Sequence, residues 1–142
     1  MRGTERDVTR LGLAKRLGYE ISEVGDNLPE ESFDVVVECS GNAFGYADAL
    51  KFAARGSHVS QMGLSGTTSN LPTDLICYKE LTITSGFAST PRSWERAMRL
   101  IRSGKLNLEA LITEVVPLKN WKSAFDRSFA AEGVKFVLAP NL

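Results

Sequence analysis

The chain alternates short apolar runs with segments in which apolar residues recur at helical spacing. The clearest run, Phe33–Cys39, contains three consecutive valines and is therefore apolar on both faces of a strand. Strands of that kind are typical of parallel sheets covered by helices on both sides. Ser40 and Gly41 end the run, and an apolar helical pattern closed by Gly56 follows it. Further strands are predicted at Ser57–Met62, Leu81–Phe87, Ile112–Val116 and Val134–Leu138.

Helical patterns separate these strands, and two of them carry clear end signals. The first runs from Val8 to Leu17, with Asp7 as its N-cap and Gly18 just past its end. Another opens with Thr90 as cap and Pro91 as first residue. The alternation of strands and helices predicts an α/β fold with a mostly parallel sheet flanked by helices. The apolar positions of the later helices are Phe44, Ala47, Leu50 and Ala54; Trp94, Ala97, Met98 and Ile101, ending at Gly104; and Trp121, Ala124 and Phe125, ending at Gly133.

Composition and charge indicate one ordinary soluble domain. The 142 residues are 43% hydrophobic, and 17 basic residues balance 17 acidic ones, which argues against a nucleic-acid binder. No apolar run approaches the roughly 18 residues of a membrane span, and the N-terminus lacks an apolar signal core. Cys39 and Cys77 are too few and too far apart for a disulfide framework or a zinc knuckle. We therefore expect a cytoplasmic protein with two reduced thiols.

The first residues have the form of the second half of a nucleotide-binding β-α-β unit. Gly3 and Thr4 fit a strand end, Glu5 fits the acidic residue after it, and Val8–Leu17 fits the following helix. In that unit, a strand and a G-x-G-x-x-G turn come about 20 residues before the acidic residue. No G-x-G-x-x-G occurs in this sequence. We therefore expect a Rossmann-like sheet truncated at the N-terminus, with the first strand and the glycine-rich turn absent.

An ordered set of segments resembles one enzyme family over nearly the whole chain: the zinc-dependent medium-chain alcohol and polyol dehydrogenases, such as sorbitol and threonine dehydrogenases. The resemblance implies that residues 1–142 form a partial dinucleotide-binding domain followed by the C-terminal tail segment of such an enzyme. It also implies an NAD(P)-dependent oxidoreductase that oxidises a secondary alcohol or polyol by zinc-assisted hydride transfer. The segments are RLGLAKRLG, FDVVVECSGN, ALKFAARGSHVSQMGL, DLICYKELTITSGF, RSGKL, LITEVVPL and AFDRSFAAEGVKFVL.

The resemblance assigns the adenosine side of the cofactor to the first residues of the chain. It makes Glu5 the ribose-binding acid, which favours NAD over NADP because a carboxylate repels a 2′-phosphate. Arg6 beside it weakens that preference, and Arg10 matches a basic position near the adenosine ribose. A solvated, charged helix start is the alternative for both Glu5 and Arg10. Ser40 and Gly41 end a buried strand at the sheet edge where ligands bind, although a simple turn would have the same sequence.

The nicotinamide side is implied to be held by two backbone segments. One passes under the nicotinamide ring and the other holds its carboxamide, and a purely structural role is the alternative for each. Lys135 matches a basic residue that reaches the pyrophosphate, unless it is only an exposed lysine on an edge strand. The first segment comprises Met62, Gly63 and Leu64, and the second comprises Gly86, Phe87 and Ala88.

The zinc ligands of this family are implied to lie on an N-terminal catalytic domain that is absent from this sequence. His58 is the single histidine and has no Cys or acidic partner at ligand spacing, so we interpret it as structural or surface-exposed. Cys39 and Cys77 have no base near them in the sequence. We assign no catalytic residue and no metal ligand. A zinc-free quinone reductase relative fits the LITEVVPL and VKFVL segments less well.

Loss of the first strand also has a structural consequence. In the order 3-2-1-4-5-6 that strand is central, so its absence leaves two unpaired strand edges. The chain should then repack, dimerise or be only marginally stable. Leu81–Phe87 is a second candidate surface for a homo-oligomer, because relatives pair subunits near this sheet edge. The alternative function is therefore a catalytically inactive remnant that acts as a subunit-association module.

Overall fold

The computed structural model describes residues 2–26 and 28–141, which divide into two compact units. We call the described residues between 28 and 90 the central unit. The described residues up to 26, together with those from 91 onward, form the split unit. The helices and strands are β1 (Arg2–Glu5), α1 (Val8–Arg16), β2 (Glu20–Glu23), β3 (Phe33–Glu38), α2 (Ala43–Phe52), β4 (Ala53–Gln61), α3 (Asp74–Tyr78), β5 (Thr82–Ser85), α4 (Pro91–Arg102), β6 (Ile112–Pro117), α5 (Trp121–Phe129) and β7 (Lys135–Ala139).

The strands form three parallel groups. The central unit contains one sheet in the order β3-β4-β5, whereas the split unit contains the pairs β1-β2 and β6-β7. Each of these strand pairs is parallel, so the predicted α/β fold with parallel strands and flanking helices is confirmed.

Helix α1 forms where its end signals predict it. Asp7 accepts a hydrogen bond at Oδ1 from the Arg10 backbone N–H at 2.9 Å, as an N-cap does. Gly18 follows the last turn with φ +82, the left-handed conformation that glycine adopts without a Cβ clash. Leu11 is the buried residue of the helix. The position of Glu5 is therefore fixed between a strand end and a capped helix.

The prediction that Gly56 closes the second helix is wrong. Helix α2 ends at Phe52, and β4 already begins at Ala53, which is fully buried. Gly56 lies inside that strand with φ +70, where its N–H donates to the Lys79 carbonyl at 2.7 Å. The register between β3 and β4 is irregular at the same place. Between two paired positions, β4 thus contains three more residues than β3, and Gly56 lies in this irregular stretch. In sequence, such a glycine resembles one that ends a helix.

Other differences concern short elements. Strand β2 and helix α3 were not predicted, because β2 has glutamates at both ends and α3 is too short to show a helical period. Strand β5 is shorter than the predicted Leu81–Phe87. Helix α5 ends at Phe129 rather than Gly133, and Ala131 follows it with φ +59. No helix among the described residues is long and apolar enough to cross a membrane.

The central unit contains the hydrophobic core. Leu50 and Val59 are fully buried in it, and Leu81 lies against them. Lys79 is 3% exposed, and its Nζ donates to the carbonyls of Leu50 at 2.9 Å, Lys51 at 2.8 Å and Ala53 at 3.1 Å. These bonds satisfy the C-terminal carbonyls of α2, which explains why the helix stops there. The buried core residues are Ala49, Leu50, Ala53, Val59 and Leu81.

The split unit buries far less apolar surface. Its buried hydrophobic residues are Leu11, Val116 and Ala124. Helix α4 has no buried residue, and its predicted apolar face is exposed, with Trp94 62% accessible. Outside α4, Arg127 donates to Glu114 at 2.6 Å, and this bond does most to raise the pKa of the guanidinium. The surface of the split unit is therefore apolar on α4 and ion-paired on α5.

Candidate functional site

The predicted adenosine residues lie together in the split unit, at the carboxyl end of β1. Glu5 Oε1 accepts hydrogen bonds from the backbone N–H groups of Arg6 at 2.8 Å and Asp7 at 2.9 Å. Its Oε2 lies 3.8 Å from Arg10 Nε, which is too long for a hydrogen bond. The Arg10 Nε is buried without a hydrogen-bond partner in the described part of the chain. The turn thus fixes one carboxylate oxygen and leaves the other beside a cation.

The turn after β3 lies in the central unit and is organised by Glu38. This residue is only 4% exposed, and its Oε1 accepts hydrogen bonds from the Ser40 N–H at 2.6 Å and from the Ser40 hydroxyl. Gly41 has φ +67, and a Cβ there would lie 2.7 Å from the Leu64 carbonyl oxygen. Ser40 and Gly41 therefore form a hydrogen-bonded turn, and the glycine is required because the turn packs closely against the backbone of Leu64.

The segment after β4 meets that turn. The backbone N–H groups of Met62 and Gly63 both donate to the Glu38 carbonyl, at 2.8 and 3.1 Å. A Cβ on Gly63 would lie 2.7 Å from the Cα of Gly41 and would collide with its backbone nitrogen. The two predicted segments, Ser40–Gly41 and Met62–Leu64, are thus brought into contact at the carboxyl edge of the sheet. Open α/β sheets bind ligands at that edge.

A pocket of about 560 Å³ opens between these segments. Its lining includes Asn42 and Tyr46 from the start of α2, Gln61 from the end of β4, and the hydroxyl-bearing loop from 65 to 69. Gln61 Nε2 donates to Glu38 Oε2 at 3.0 Å and to the Gly63 carbonyl at 2.7 Å. Its Oε1 is buried without a hydrogen-bond partner among the described residues. The pocket is therefore lined by uncharged, mostly polar residues, and two hydrogen bonds hold the Gln61 amide in its wall.

The third predicted segment lies after β5 in the same unit. A Cβ on Gly86 would lie 3.6 Å from the Met62 methyl carbon, so the second and third segments also approach each other. Phe87 is 85% exposed, and Ala88 has φ +61. That conformation is uncommon for alanine and strains the backbone. The two predicted nicotinamide segments thus lie side by side, after β4 and β5, next to the Ser40–Gly41 turn that follows β3.

Lys135 lies on the split unit at the first position of β7. Its side chain is exposed, and its backbone N–H lies 3.3 Å from the Thr113 hydroxyl. The predicted pyrophosphate contact of this lysine stays a prediction.

The residues that carry no predicted site role have ordinary surroundings. His58 Nε2 is hydrogen-bonded to the Thr84 hydroxyl at 2.7 Å, across the β4-β5 pair. Cys39 and Cys77 are both free and exposed. Residues 2–26 and 28–141 contain no group of three or more His, Cys, Asp or Glu side chains that could hold a metal ion. The described residues therefore do not fit a zinc site.

Comparison with known proteins identifies the family. Residues 3–103 match the family of zinc-binding dehydrogenases. The chain belongs to this family. The resemblance deduced from the ordered segments is thereby confirmed, and the zinc-binding dehydrogenase fold accounts for the parallel strands described above.

Named relatives of this zinc-binding dehydrogenase chain include polyol and amino-alcohol dehydrogenases. L-threonine 3-dehydrogenase of Bacillus velezensis is 32% identical over 92% of this chain and 41% of its own length. D-arabitol-phosphate dehydrogenase of Enterococcus avium is 26% identical over 99% of this chain and 43% of its own length. A zinc-binding dehydrogenase of Sinorhizobium meliloti, solved bound to NADP, superimposes with a TM-score of 0.84 at 22% identity, covering 98% of this chain and 44% of that one. The chain thus spans less than half the length of these relatives.

Sequence reasoning missed Glu38, Gln61 and Lys79. Glu38 directly follows three valines, and an acidic residue at the end of a fully apolar strand is a usable signal for a buried carboxylate. Gln61 carries no such signal, because its partner is 23 residues away. Lys79 is followed by Glu80 in the sequence and resembles a surface residue. Its burial depends on the end of α2, which was placed too late.

Proposed function

We propose that this chain is the cofactor-binding part of an NAD(P)-dependent dehydrogenase that oxidises a secondary alcohol or polyol by zinc-assisted hydride transfer. In this proposal residues 1–142 are a partial dinucleotide-binding domain with the tail segment of the enzyme. The observation that carries it is the close contact between Gly41 and Gly63 beside a neutral polar pocket. Family membership and the polyol dehydrogenases among the relatives support the reaction class.

The pocket fits the nicotinamide side of a dinucleotide. Its volume of about 560 Å³ lies within the range of small-molecule and cofactor sites. Gly41 and Gly63 allow the two segments to pack backbone against backbone, which forms one wall of the pocket. The loop from 65 to 69 contributes Ser and Thr hydroxyls, which can donate to or accept from an amide of the ligand. When bound, the nicotinamide accepts the hydride, and the residues of this chain hold and orient the ring.

Glu5 and Arg10 fit the adenosine ribose. Glu5 is oriented by two backbone N–H groups, and within the described part of the chain its Oε2 accepts no hydrogen bond that would compete with a ribose hydroxyl. A 2′-phosphate at the same place would face the carboxylate, which disfavours NADP. Arg10 opposes this preference, but its guanidinium already lies 3.6 Å from Asp7 Oδ1. We therefore propose NAD as the preferred cofactor, with Lys135 as a pyrophosphate contact.

Zinc chemistry requires ligands from outside the described residues. A metal that polarises the alcohol oxygen needs three protein ligands at one point, and the described residues offer no such cluster. We propose that those ligands belong to a catalytic domain of the kind found in longer members of the family. The free thiols of Cys39 and Cys77 are consistent with a reducing cytoplasmic location.

Subunit association is the second candidate function, and the exposed surface favours it. The chain exposes 10602 Å². A folded monomer of 15.5 kDa exposes about 7,200 Å², and two separate compact units of half that mass would together expose about 8,700 Å². The excess includes apolar side chains such as Trp94 and Phe129. A homo-oligomer formed through strand edges would cover part of this surface.

Calorimetry on the full chain with NAD and NADP tests the cofactor proposal. We expect micromolar binding of NAD, and weaker binding of NADP. Glu5→Gln keeps an oxygen for the two backbone N–H groups but removes the charge, so it should weaken NAD binding about tenfold and narrow the NAD preference. Glu20→Gln, an exposed glutamate on β2, is the matched control and should leave both affinities unchanged. Equal binding of NAD by Glu5→Gln and the original chain would contradict the assignment.

A further inference from the structure

The buried carboxylate of Glu38 lies at the junction of the two segments proposed to face the nicotinamide. Burial of a charged group is costly unless hydrogen bonds replace its water. In the described part of the chain, the donors to this carboxylate are all uncharged: the N–H and hydroxyl of Ser40 and the amide of Gln61. No Lys, Arg or His forms an ion pair with it there. The group is therefore arranged for hydrogen bonding to neighbouring loops and not for charge neutralisation.

The two oxygens of this carboxylate serve different segments. Oε1 accepts only from Ser40, which belongs to the turn after β3. Oε2 accepts from Gln61 Nε2 at 3.0 Å, at the end of β4. The backbone carbonyl of Glu38 adds two bonds, from Met62 and Gly63. One residue therefore connects the turn after β3 to the segment after β4 through three acceptor atoms.

The contact between these segments leaves no room for adjustment. A Cβ on Gly63 would lie 2.7 Å from Glu38 Oε2 and 2.7 Å from the Gly41 Cα. Gly41 in turn approaches the carbonyl of Leu64. Because these are backbone atoms, a small movement of either segment changes the floor of the pocket directly. The position of the pocket backbone thus depends on the bonds that hold the segments together.

We propose that Glu38 is a positioning residue that locks the Ser40–Gly41 turn against the Gln61–Gly63 segment. The inference rests on the proposed cofactor function, because it states how that site is held in its binding geometry. Glu38 is not proposed to touch the reacting atoms. It acts through Gly41 and Gly63, whose backbones line the pocket.

The geometry requires a hydrogen-bond acceptor at both Oε1 and Oε2 of residue 38. A carboxylate provides this, whereas the amide of Glu38→Gln provides one acceptor and one donor. If its oxygen keeps the bonds to Ser40, its NH₂ group meets the NH₂ group of Gln61, and two donors then face each other. The exchanged pair Glu38→Gln with Gln61→Glu restores a donor and an acceptor between the two strands. This double variant is therefore the rescue test.

Amide hydrogen exchange on the ligand-free full chain tests the lock without any cofactor. We expect Glu38→Gln to speed exchange in segments 39–45 and 61–66 by about tenfold, while β6 and β7 keep their rates. The double variant should restore the protection of segment 39–45, whereas segment 61–66 should recover only in part, because Gln61→Glu also removes the bond to the Gly63 carbonyl. Glu95→Gln on the exposed helix α4 is the control and should change neither segment. Unchanged exchange of both segments in Glu38→Gln would overturn the inference.

Binding of NAD and ADP-ribose separates positioning from general stability. ADP-ribose lacks the nicotinamide, so its contacts do not depend on the locked segments. We expect Glu38→Gln to weaken NAD binding about tenfold, equivalent to about 1.4 kcal/mol, and to change ADP-ribose binding less than twofold. Equal weakening of both ligands would show a merely structural role and contradict the inference. If the unaltered chain binds neither ligand, the proposed function fails, while the exchange experiment still decides whether Glu38 holds the segments.

A second variant covers the case in which Glu38→Gln does not fold. Gln61→Met removes the bond to Oε2 but leaves the bonds of Oε1 to Ser40 intact. It should weaken NAD binding about threefold and speed exchange mainly in segment 61–66. Full protection and full NAD affinity in Gln61→Met would count against a lock between the strands.

Discussion

The two units of the chain differ in how their site residues are held. In the central unit, the Ser40–Gly41 turn and the Gln61–Gly63 segment, which we propose face the nicotinamide, follow strands of a three-stranded sheet with a buried core. Glu38 is hydrogen-bonded to both of them. In the split unit, Glu5 and Lys135 lie on two-stranded sheets with little buried apolar surface. Isolated two-stranded sheets are marginal in water. The comparison shows that the segments proposed to face the nicotinamide are held by the core of their own unit, whereas Glu5 and Lys135 lie on sheets without such a core.

The two units also differ in where the partners of their charged side chains lie. Lys79 is buried and donates to two carbonyls of α2 and to that of Ala53 in β4, so its removal would leave these groups unsatisfied. The ion pairs of the split unit, such as Arg127 with Glu114, lie at the surface, where pairs contribute little to stability. The same substitution should therefore lower the free energy of unfolding more in the central unit than in the split unit.

The largest expected difference in stability loss is between two leucines, one in each unit. Leu50 on α2 is fully buried, whereas Leu100 on α4 is 49% exposed. Leu50→Ala should lower the free energy of unfolding by about 3 to 4 kcal/mol, because it leaves a cavity in the core. Leu100→Ala should change it by less than about 0.5 kcal/mol. Urea denaturation followed by circular dichroism measures both, and similar losses in the two variants would remove the distinction between the units.

The next largest difference in stability loss is expected between a buried and an exposed lysine. Lys79→Met should destabilise the chain by about 2 kcal/mol, because the carbonyls at the end of α2 lose a buried donor. Lys51→Met removes an exposed pair with Glu30 and should cost less than about 0.5 kcal/mol. The same urea titration tests both, and a neutral Lys79→Met would mean that the helix end is satisfied by other groups.

Backbone strain at Ala88 predicts a gain in stability. Its φ of +61 costs an L-residue about 1 kcal/mol relative to glycine. Ala88→Gly should therefore raise the unfolding free energy by up to about 1 kcal/mol, whereas Ala97→Gly in helix α4 should lower it by about the same amount. Thermal denaturation of both variants shows whether each substitution raises or lowers the stability. A loss of stability in Ala88→Gly would show that the strained conformation is absent in solution.

The smallest effect on stability concerns the exposed face of α4. Trp94 is 62% exposed, so Trp94→Gln should change the unfolding free energy by less than about 0.5 kcal/mol. If this face associates with a second copy, the substitution should also lower the sedimentation coefficient at micromolar concentration. Phe44→Gln, at an exposed position of the central unit, is the matched control. A large stability loss in Trp94→Gln would mean that α4 is packed against other residues.

The sequence allowed prediction of features that depend on local chemistry. The cap at Asp7, the glycine after α1 and the valine strand β3 follow from residue preferences within a few positions. The end of α2 was misplaced because Lys79, 26 residues beyond Ala53, determines it. Gln61 was missed because its partner Glu38 lies on the neighbouring strand, 23 residues away. Features that depend on contacts between strands therefore required the structure.

The central claim is that this chain carries the two halves of a dinucleotide site, and hydrogen exchange with and without NAD tests it most directly. The full chain at saturating NAD should show slower exchange in segments 5–10, 40–42 and 62–64, with the largest change in the two segments of the central unit. β6 serves as an internal reference and should be unaffected. Unchanged exchange in all three segments at millimolar NAD, or protection confined to other parts of the chain, would contradict the account.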